Sequence, residues 1–428
     1  MRWIARRWPG SAAGSEFVAN LSAVAVLNAG AFFLQFCALL LIGRAWGPAL
    51  YGRVTLVGNI TALLFIPFSL GMNNAMYRLL PVTAKERHGA LVDTAAVGNL
   101  ITSACLGLVL LLGHGLVARG LSIPFDVWAW AVVYSAATNF VCLFESFLRG
   151  KRRFAEIGKL RLLSAALFFA AVLIFVGARG ERSLGYYYGP YILIYALVFV
   201  SGVIVLLRIS FSRFQWRLYR EMIRYGLAMM GSVLFTALIY NSDVIVLTRL
   251  LGDPEQVGVF AAYQGVVKLA FYVGFHEIFT VVFLPTIARL DGQAVFRHVE
   301  RLALWIAGGV FLAASLVIVT SLWVFGGRYV FSPLYWVLSS ASIALLAVFQ
   351  LYNATLSMEG EAGARTSLFV ALIVLPGALA LQVVLTRSWG VPGMMAAILL
   401  TNLCLLLLMH ASAGRFYRRR AATVAVAV

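Results

Sequence analysis

The sequence predicts an all-α integral membrane protein with twelve transmembrane helices arranged as two lobes of six. The composition is the first reason, because 62% of the 428 residues are apolar and only 12% are charged. Apolar runs longer than about 18 residues and almost free of charge recur along the chain, and such runs match the hydrocarbon thickness of a bilayer. The third reason is a connecting segment that repeats, with Arg44 and Arg249 as equivalent residues 205 positions apart.

The apolar runs set the order of the spans. The connections are mostly shorter than about fifteen residues, as in the helix hairpins of a bundle. Pro124, Pro254 and Pro392 lie near the ends of runs, where a helix tolerates the missing N–H. The predicted spans lie near residues 17–43, 53–77, 91–117, 125–148, 155–177, 186–208, 223–247, 257–284, 302–325, 333–357, 365–386 and 391–413.

The repeated connection covers residues 42–52 in the first copy and 247–258 in the second. In both copies an arginine precedes a glycine by three residues, a proline follows within two, and a second glycine closes the turn. A second match with the same offset joins Ser183 to Ser388, before the sixth and twelfth spans. Six spans in each half predict parallel lobes, related by a pseudo-two-fold axis along the membrane normal, with a central cavity between them. The predicted division is an N-lobe (1–207), a basic cytoplasmic linker (208–222) and a C-lobe (223–428).

The distribution of positive charge predicts the orientation. With the N-terminus inside, 23 Lys and Arg residues lie on the inner side and 8 on the outer side, which favours cytoplasmic termini. The net charge of +18 is therefore attributed to membrane orientation, and no nucleic-acid partner is expected. The basic first sixteen residues do not resemble a cleavable signal.

Four short motifs carry a resemblance to a known family. They are Arg44 to Gly52 (RAWGPALYG), Gly71 to Pro81 (GMNNAMYRLLP), Phe325 to Tyr329 (FGGRY) and Gly390 to Ala397 (GVPGMMAA). With them the chain resembles the polysaccharide transporters of the multidrug/oligosaccharidyl-lipid/polysaccharide exporter superfamily, which includes the O-antigen and exopolysaccharide repeat-unit flippases.

The resemblance implies a flippase in the bacterial cytoplasmic (inner) membrane. Its substrate would be an undecaprenyl-pyrophosphate-linked oligosaccharide, moved from the inner to the outer leaflet by alternating access. A polysaccharide polymerase, assembly proteins and membrane lipids would be partners.

Two other groups of the superfamily fit less well. Multidrug and toxin extrusion proteins typically carry a carboxylate in the N-lobe, often on the first span, whereas residues 17–43 contain no acid. Lipid II flippases usually have two further C-terminal spans, which this sequence lacks. An exporter of small amphiphiles with the same fold, coupled to H+ or Na+, remains the alternative function.

Lys268 is the clearest charge inside a predicted span, because it lies about twelve residues into the eighth, near the midplane. At 100° per residue it shares a helix face with Gln264, Phe271, Tyr272 and Phe275. A cation between an amide and aromatic rings suits the pyrophosphate and sugars of a lipid-linked saccharide. The alternative is that Lys268 pairs with an acid across the lobes and only orders the bundle.

Lys159 and Arg161 in the fifth span, and Arg78 at the inner end of the second, are further candidate substrate-binding cations. They could draw in a diphosphate head group or extend to the anionic inner leaflet.

Asp243 and Glu277 are candidate ion-coupling acids, with static pairing as the alternative for each. A third acid, Glu145, precedes Arg149 by four residues and is expected to form an ordinary surface pair.

An enzyme is the least favoured class of function. A membrane polysaccharide polymerase would generally need a sizeable outer loop with acid and base residues, and the predicted outer turns are short and contain no histidine. The sequence has no P-loop, metal-ligand or nucleophile signature. We therefore predict no catalytic residue, no metal site and no cofactor, apart from coupling to H+ or Na+.

Overall fold

The computed structural model describes residues 12–151, 153–275, 292–357, 359 and 361–427. The regular secondary structure of these residues is helical, which confirms the predicted class. The helices of the first half are α1 (Ala12–Trp46), α2 (Pro48–Ser69), α3 (Met72–Val82), α4 (His88–Leu112), α5 (His114–Leu121), α6 (Phe125–Gly150), α7 (Phe154–Val172), α8 (Gly185–Ile194) and α9 (Ser201–Leu207). Those of the second half are α10 (Trp216–Leu251), α11 (Pro254–Phe260), α12 (Val266–Tyr272), α13 (Gly292–Phe325), α14 (Pro333–Ser357) and α15 (Glu361–Ala427).

Three spans contain a π-helical segment. Leu173–Ala178 continues α7, Tyr195–Val200 joins α8 to α9, and Ala261–Gly265 joins α11 to α12. A π-turn places an extra residue in the helix and rotates the following side chains about the axis relative to a regular α-helix. A helix face predicted from a rotation of 100° per residue is therefore shifted about the axis at the π-helical segment of each of these spans.

Eleven helices in the described part of the chain are long and apolar enough to cross a membrane. The longest, Ala362–Arg418, contains a break at Gly390, whose φ of 63° is outside the α-helical region. Glycine adopts this conformation readily, and Pro392 offers no N–H for continuing the ladder of hydrogen bonds. The break separates the predicted eleventh and twelfth spans, so the architecture agrees with twelve transmembrane helices.

The structure contains two compact units. Unit 1 consists of the described residues of Met1–Leu39, Leu64–Gly113 and Val132–Met230, and unit 2 of those of Leu40–Leu63, His114–Ala131 and Gly231–Val428. The predicted lobe boundaries at 207 and 223 stay a prediction. Within the predicted linker, residues 208–215 connect α9 to α10, and α10 begins at Trp216.

Buried amides fasten helices together inside each unit. In unit 1 the amide nitrogen of Asn139 lies 3.0 Å from the Phe68 carbonyl oxygen and 3.1 Å from the Asn99 side-chain oxygen. In unit 2 the amide of Asn402 donates to the carbonyl and hydroxyl oxygens of Ser342, at 3.0 and 2.9 Å. Since hydrocarbon offers no hydrogen-bond partners, these bonds between helices satisfy groups that would otherwise be costly.

The two copies of the repeated connection contact each other in unit 2. A Cβ atom at Gly52 would overlap the carbonyl oxygen of Pro254, and one at Gly258 would overlap the carbonyl oxygen of Pro48. The contact is reciprocal, since the closing glycine of each copy lies against the proline of the other. Glycine is therefore required at both positions for the close approach of two backbones.

Candidate functional site

Lys268 forms an ion pair with a buried aspartate on the preceding span. Its Nζ contacts Oδ2 of Asp243 and donates a hydrogen bond to the backbone carbonyl oxygen of Tyr240 at 2.8 Å. The Asp243 side chain is 1% exposed, whereas that of Lys268 is 21% exposed. The carboxylate is therefore enclosed, and Lys268 is the more exposed member of the pair.

The local helix geometry explains this arrangement. Tyr240 and Asp243 are three residues apart on α10, so the carbonyl of the first and the side chain of the second lie on one helix face. A charge in hydrocarbon costs about 2.5–3.5 kcal/mol on insertion scales, and pairing with hydrogen bonds offsets that cost. The acid that pairs with Lys268 thus belongs to the same predicted lobe and does not lie across the lobes.

The residues predicted to share a helix face with Lys268 do not lie in one common environment. Gln264 is buried in the π-helical segment, with its amide nitrogen 3.5 Å from the Ser342 hydroxyl. Tyr272 is 52% exposed, and the ring of Phe271 stacks on that of Phe275. The physical reason is the π-helical segment, because residues on its two sides are not related by the 100° rotation per residue of a regular α-helix.

A second buried carboxylate lies in unit 1. Glu145 on α6 contacts Arg149 one turn later and accepts hydrogen bonds from Arg161 on α7, at 2.7 Å from Nη2 and 3.0 Å from Nε. Its side chain is only 3% exposed, so the expectation of an ordinary surface pair with Arg149 was wrong. Two guanidinium groups and one carboxylate leave this cluster with a net charge of +1.

The remaining sequence candidates lie elsewhere. Lys159 is exposed on α7, two residues from Arg161 and therefore on a different helix face. Arg78 belongs to α3, but its side chain is not among those described. Glu277 lies outside the described residues.

The connection after α6 adds positive charge close to the Glu145 cluster in sequence. It contains Lys151 and Arg153, of which Arg153 donates to the Leu206 carbonyl oxygen at 3.3 Å. Burial, and then the neighbouring Arg153, lowers the pKa of Lys151. The neutral form of the Lys151 side chain is therefore favoured at this position.

Sequence reasoning missed a polar contact between the first and sixth spans. The side-chain amide of Gln35 donates to the Tyr195 hydroxyl, and Tyr195 stacks on Tyr191 with ring centroids 4.3 Å apart. The available signal was Gln35 itself, an amide inside a predicted span. In the same unit, the ring of Tyr188 is buried against that of Tyr134.

No group of three His, Cys, Asp or Glu side chains in the described part of the chain could hold a metal ion. The chemistry available at the two ionic clusters is recognition of charge. The Lys268 ammonium can bind an anion, and so can the Glu145 cluster with its net charge of +1. A buried carboxylate can bind a cation.

Comparison with models of known protein families identifies the family of this chain. Residues 17–291 match the model of the polysaccharide biosynthesis protein family, which is more than half of the chain. The chain belongs to this family. No curated protein sequence matches it.

Solved structures show the same fold for this polysaccharide biosynthesis family protein. One is lipid II flippase MurJ in an inward closed conformation, with a TM-score of 0.67, 14% identity, and coverage of 90% of this chain and 86% of that chain. Another is an outward-facing multidrug resistance MATE family transporter of the MOP superfamily, with a TM-score of 0.59, 15% identity, and coverage of 96% and 97%. A third is the Vibrio cholerae MATE transporter VcmN in the bent form, with a TM-score of 0.53, 15% identity, and coverage of 94% and 98%.

Proposed function

We propose that this protein is a lipid-linked oligosaccharide flippase. It would move undecaprenyl-pyrophosphate-linked repeat units from the inner to the outer leaflet of the bacterial cytoplasmic membrane by alternating access. Membership of the polysaccharide biosynthesis family and the MurJ-like fold support this proposal. The observation that carries it is the Lys268–Asp243 pair, in which the lysine side chain is partly exposed and the carboxylate is enclosed.

A diphosphate needs cations that are placed before it arrives. Lys268 is held beside the enclosed Asp243 carboxylate and the Tyr240 carbonyl, and from this position its ammonium can turn toward a phosphate. The Glu145 cluster of unit 1 supplies a net charge of +1 on two guanidinium groups, which suit phosphate oxygens. Each of these two clusters has a cation that can bind a phosphate oxygen.

The test separates a substrate role of Lys268 from a structural one. We expect Lys268→Met to reduce export of repeat units by about tenfold or more, because a charge-assisted hydrogen bond to phosphate is lost. That variant also leaves Asp243 buried without a cation, which would by itself damage the protein. The double variant Lys268→Met/Asp243→Asn removes both charges, and we expect it to fold, to fail to export, and to bind a fluorescent substrate more weakly than Asp243→Asn alone.

The measurement is transfer of a fluorescent undecaprenyl-diphosphate oligosaccharide across proteoliposomes, at matched amounts of monodisperse protein. Arg217→Met is the control, because Arg217 is an exposed cation in the first turn of α10 and has no proposed contact with substrate. Normal export by the double variant would show that Lys268 only neutralises Asp243, and would overturn its role in binding substrate.

The same pair suggests how an ion could be coupled to transport. When the ammonium turns toward a phosphate, the enclosed Asp243 carboxylate loses its cation and requires another, either H+ or Na+. Asp243 is thus the coupling acid that the described contacts support.

An exporter of small amphiphiles coupled to the same ions is the second candidate function. The MATE-like fold favours it. Efflux of cationic dyes that requires Asp243, with no movement of lipid-linked saccharide, would decide in its favour.

A further inference from the structure

A groove in unit 2 combines cations and aromatic rings. It has a volume of about 290 Å³ and lies between the first turns of α13 and the part of α15 after Gly390. The residues that line the groove include Phe296, Arg297, Glu300, His410, Gly414 and Arg418. It is separate from the Lys268 and Glu145 clusters, since it shares no residue with either.

Aromatic rings form one wall of the groove. The rings of Phe296 and His410 stack with centroids 5.7 Å apart, and Tyr417 lies 5.4 Å from Phe296. Phe296 and Tyr417 are buried, so this wall is fixed by packing. Gly414 has no neighbouring atom within 4 Å of where a Cβ would be, which leaves the space beside the wall open.

The charged groups at the mouth favour an anion. Arg297 and Arg418 are exposed on the two helices, and Arg418 also donates to the Gly414 carbonyl at 3.1 Å. Glu300 opposes them but lies 3.6 Å from Nε2 of His410. Two guanidinium groups against one carboxylate leave an excess of positive charge that suits a phosphodiester.

Both helix faces continue from the groove into apolar residues that face lipid. On α13 the face of Arg297 and Glu300 continues at Leu304, which is 86% exposed. On α15 the face of Gly414 and His410 continues at Leu407, which is 58% exposed. Exposed leucines therefore continue both helix faces beyond the groove, on the side away from Arg297 and Arg418.

We infer that this groove is a binding site for an anionic phospholipid. The phosphodiester lies between Arg297 and Arg418, the glycerol end lies against the Phe296–His410–Tyr417 wall, and an acyl chain follows Leu304 and Leu407. Basic pockets between helices at the membrane surface are a general means of holding such head groups. The lipid would be a resident of the C-terminal half and not the transported substrate.

The test is native mass spectrometry of the full-length protein, purified with phosphatidylglycerol or phosphatidylcholine. We expect one tightly retained phosphatidylglycerol and no equally retained phosphatidylcholine. The variant Arg297→Gln/Arg418→Gln should hold phosphatidylglycerol about 30-fold more weakly, from about 1 kcal/mol for each cation. The matched control is Arg301→Gln/Arg415→Gln, which removes the same charge from exposed positions of the same helices.

A second variant tests the shape of the site without altering its charge. Gly414→Leu places a side chain in the open space of the groove and should also release the lipid, while a monodisperse elution profile shows that the protein is folded. Equal weakening in the two double variants would mean diffuse attraction to the surface, and would overturn the site. Retention by all variants, equal retention of phosphatidylcholine, or displacement of the lipid by millimolar inorganic phosphate would overturn it as well.

Discussion

At the scale of single residues, the burial of two carboxylates decides what the neighbouring cations do. Asp243 and Glu145 are 1% and 3% exposed, and each has a basic partner on an adjacent span. Removing one partner of a buried ion pair leaves an uncompensated charge, which costs far more than loss of an exposed pair. These acids therefore matter to the stability of the protein as well as to its proposed function.

Glu145→Gln tests this burial. We expect it to lower the free energy of unfolding by about 1.5–3 kcal/mol, because the neutral amide replaces a carboxylate that accepts charge-assisted hydrogen bonds from Arg161 and pairs with Arg149. The exposed pair of Arg53 and Asp126, at 2.5 Å, provides the control, and Asp126→Asn should cost about 0–1 kcal/mol. The measurement is the thermal midpoint of both variants in the same detergent, followed by intrinsic tryptophan fluorescence. Equal midpoints for the two variants would contradict the prediction.

At the scale of helices and turns, the backbone contact between the two repeated connections leaves no room for a side chain at the closing glycine of either copy. Gly258→Ala would bring a methyl group onto the Pro48 carbonyl oxygen, and neither backbone can move aside without displacing its helix. We expect overpacking to cost about 1–3 kcal/mol or more and to lower the yield of monodisperse protein. Size-exclusion chromatography of the solubilised variant measures this.

Gly58→Ala on α2 is the matched control, because a Cβ there has no neighbour within 4 Å. This control should leave the yield unchanged or improve it, since alanine favours a helix. A normal elution profile for Gly258→Ala would show that the two connections are not in such close contact.

The helices themselves were predictable, whereas several of their faces were not. Long apolar runs and the repeat at Arg44 and Arg249 are properties of the sequence alone, so they indicated twelve spans and a special role for the connections. The position of Gln264 depended on a π-turn, which leaves no regular pattern in the apolar residues. The partner of Lys268 was unpredictable because pairing of spans depends on tertiary packing, and Glu145 looked like a surface acid because only packing buries it.

At the scale of the whole molecule, the distribution of Lys and Arg predicts that both termini are cytoplasmic. This can be measured by labelling single cysteines with a membrane-impermeant thiol reagent, after replacing the four native cysteines. Ser212→Cys in the α9–α10 connection should react only when the membrane is opened. Glu181→Cys, between α7 and α8, should react in intact cells. The reverse pattern would contradict the orientation inferred from positive charge.

The break at Gly390 affects how the last two spans enter the membrane. The connection between them is a change of direction within a few residues, from Ser388 to Pro392, and it contains no charged side chain. Only this short, uncharged connection has to cross the membrane between the two helices, because no longer loop joins them on that side. The two spans can therefore insert together as one hairpin during synthesis, so that their antiparallel pairing is established before the rest of the bundle closes around them.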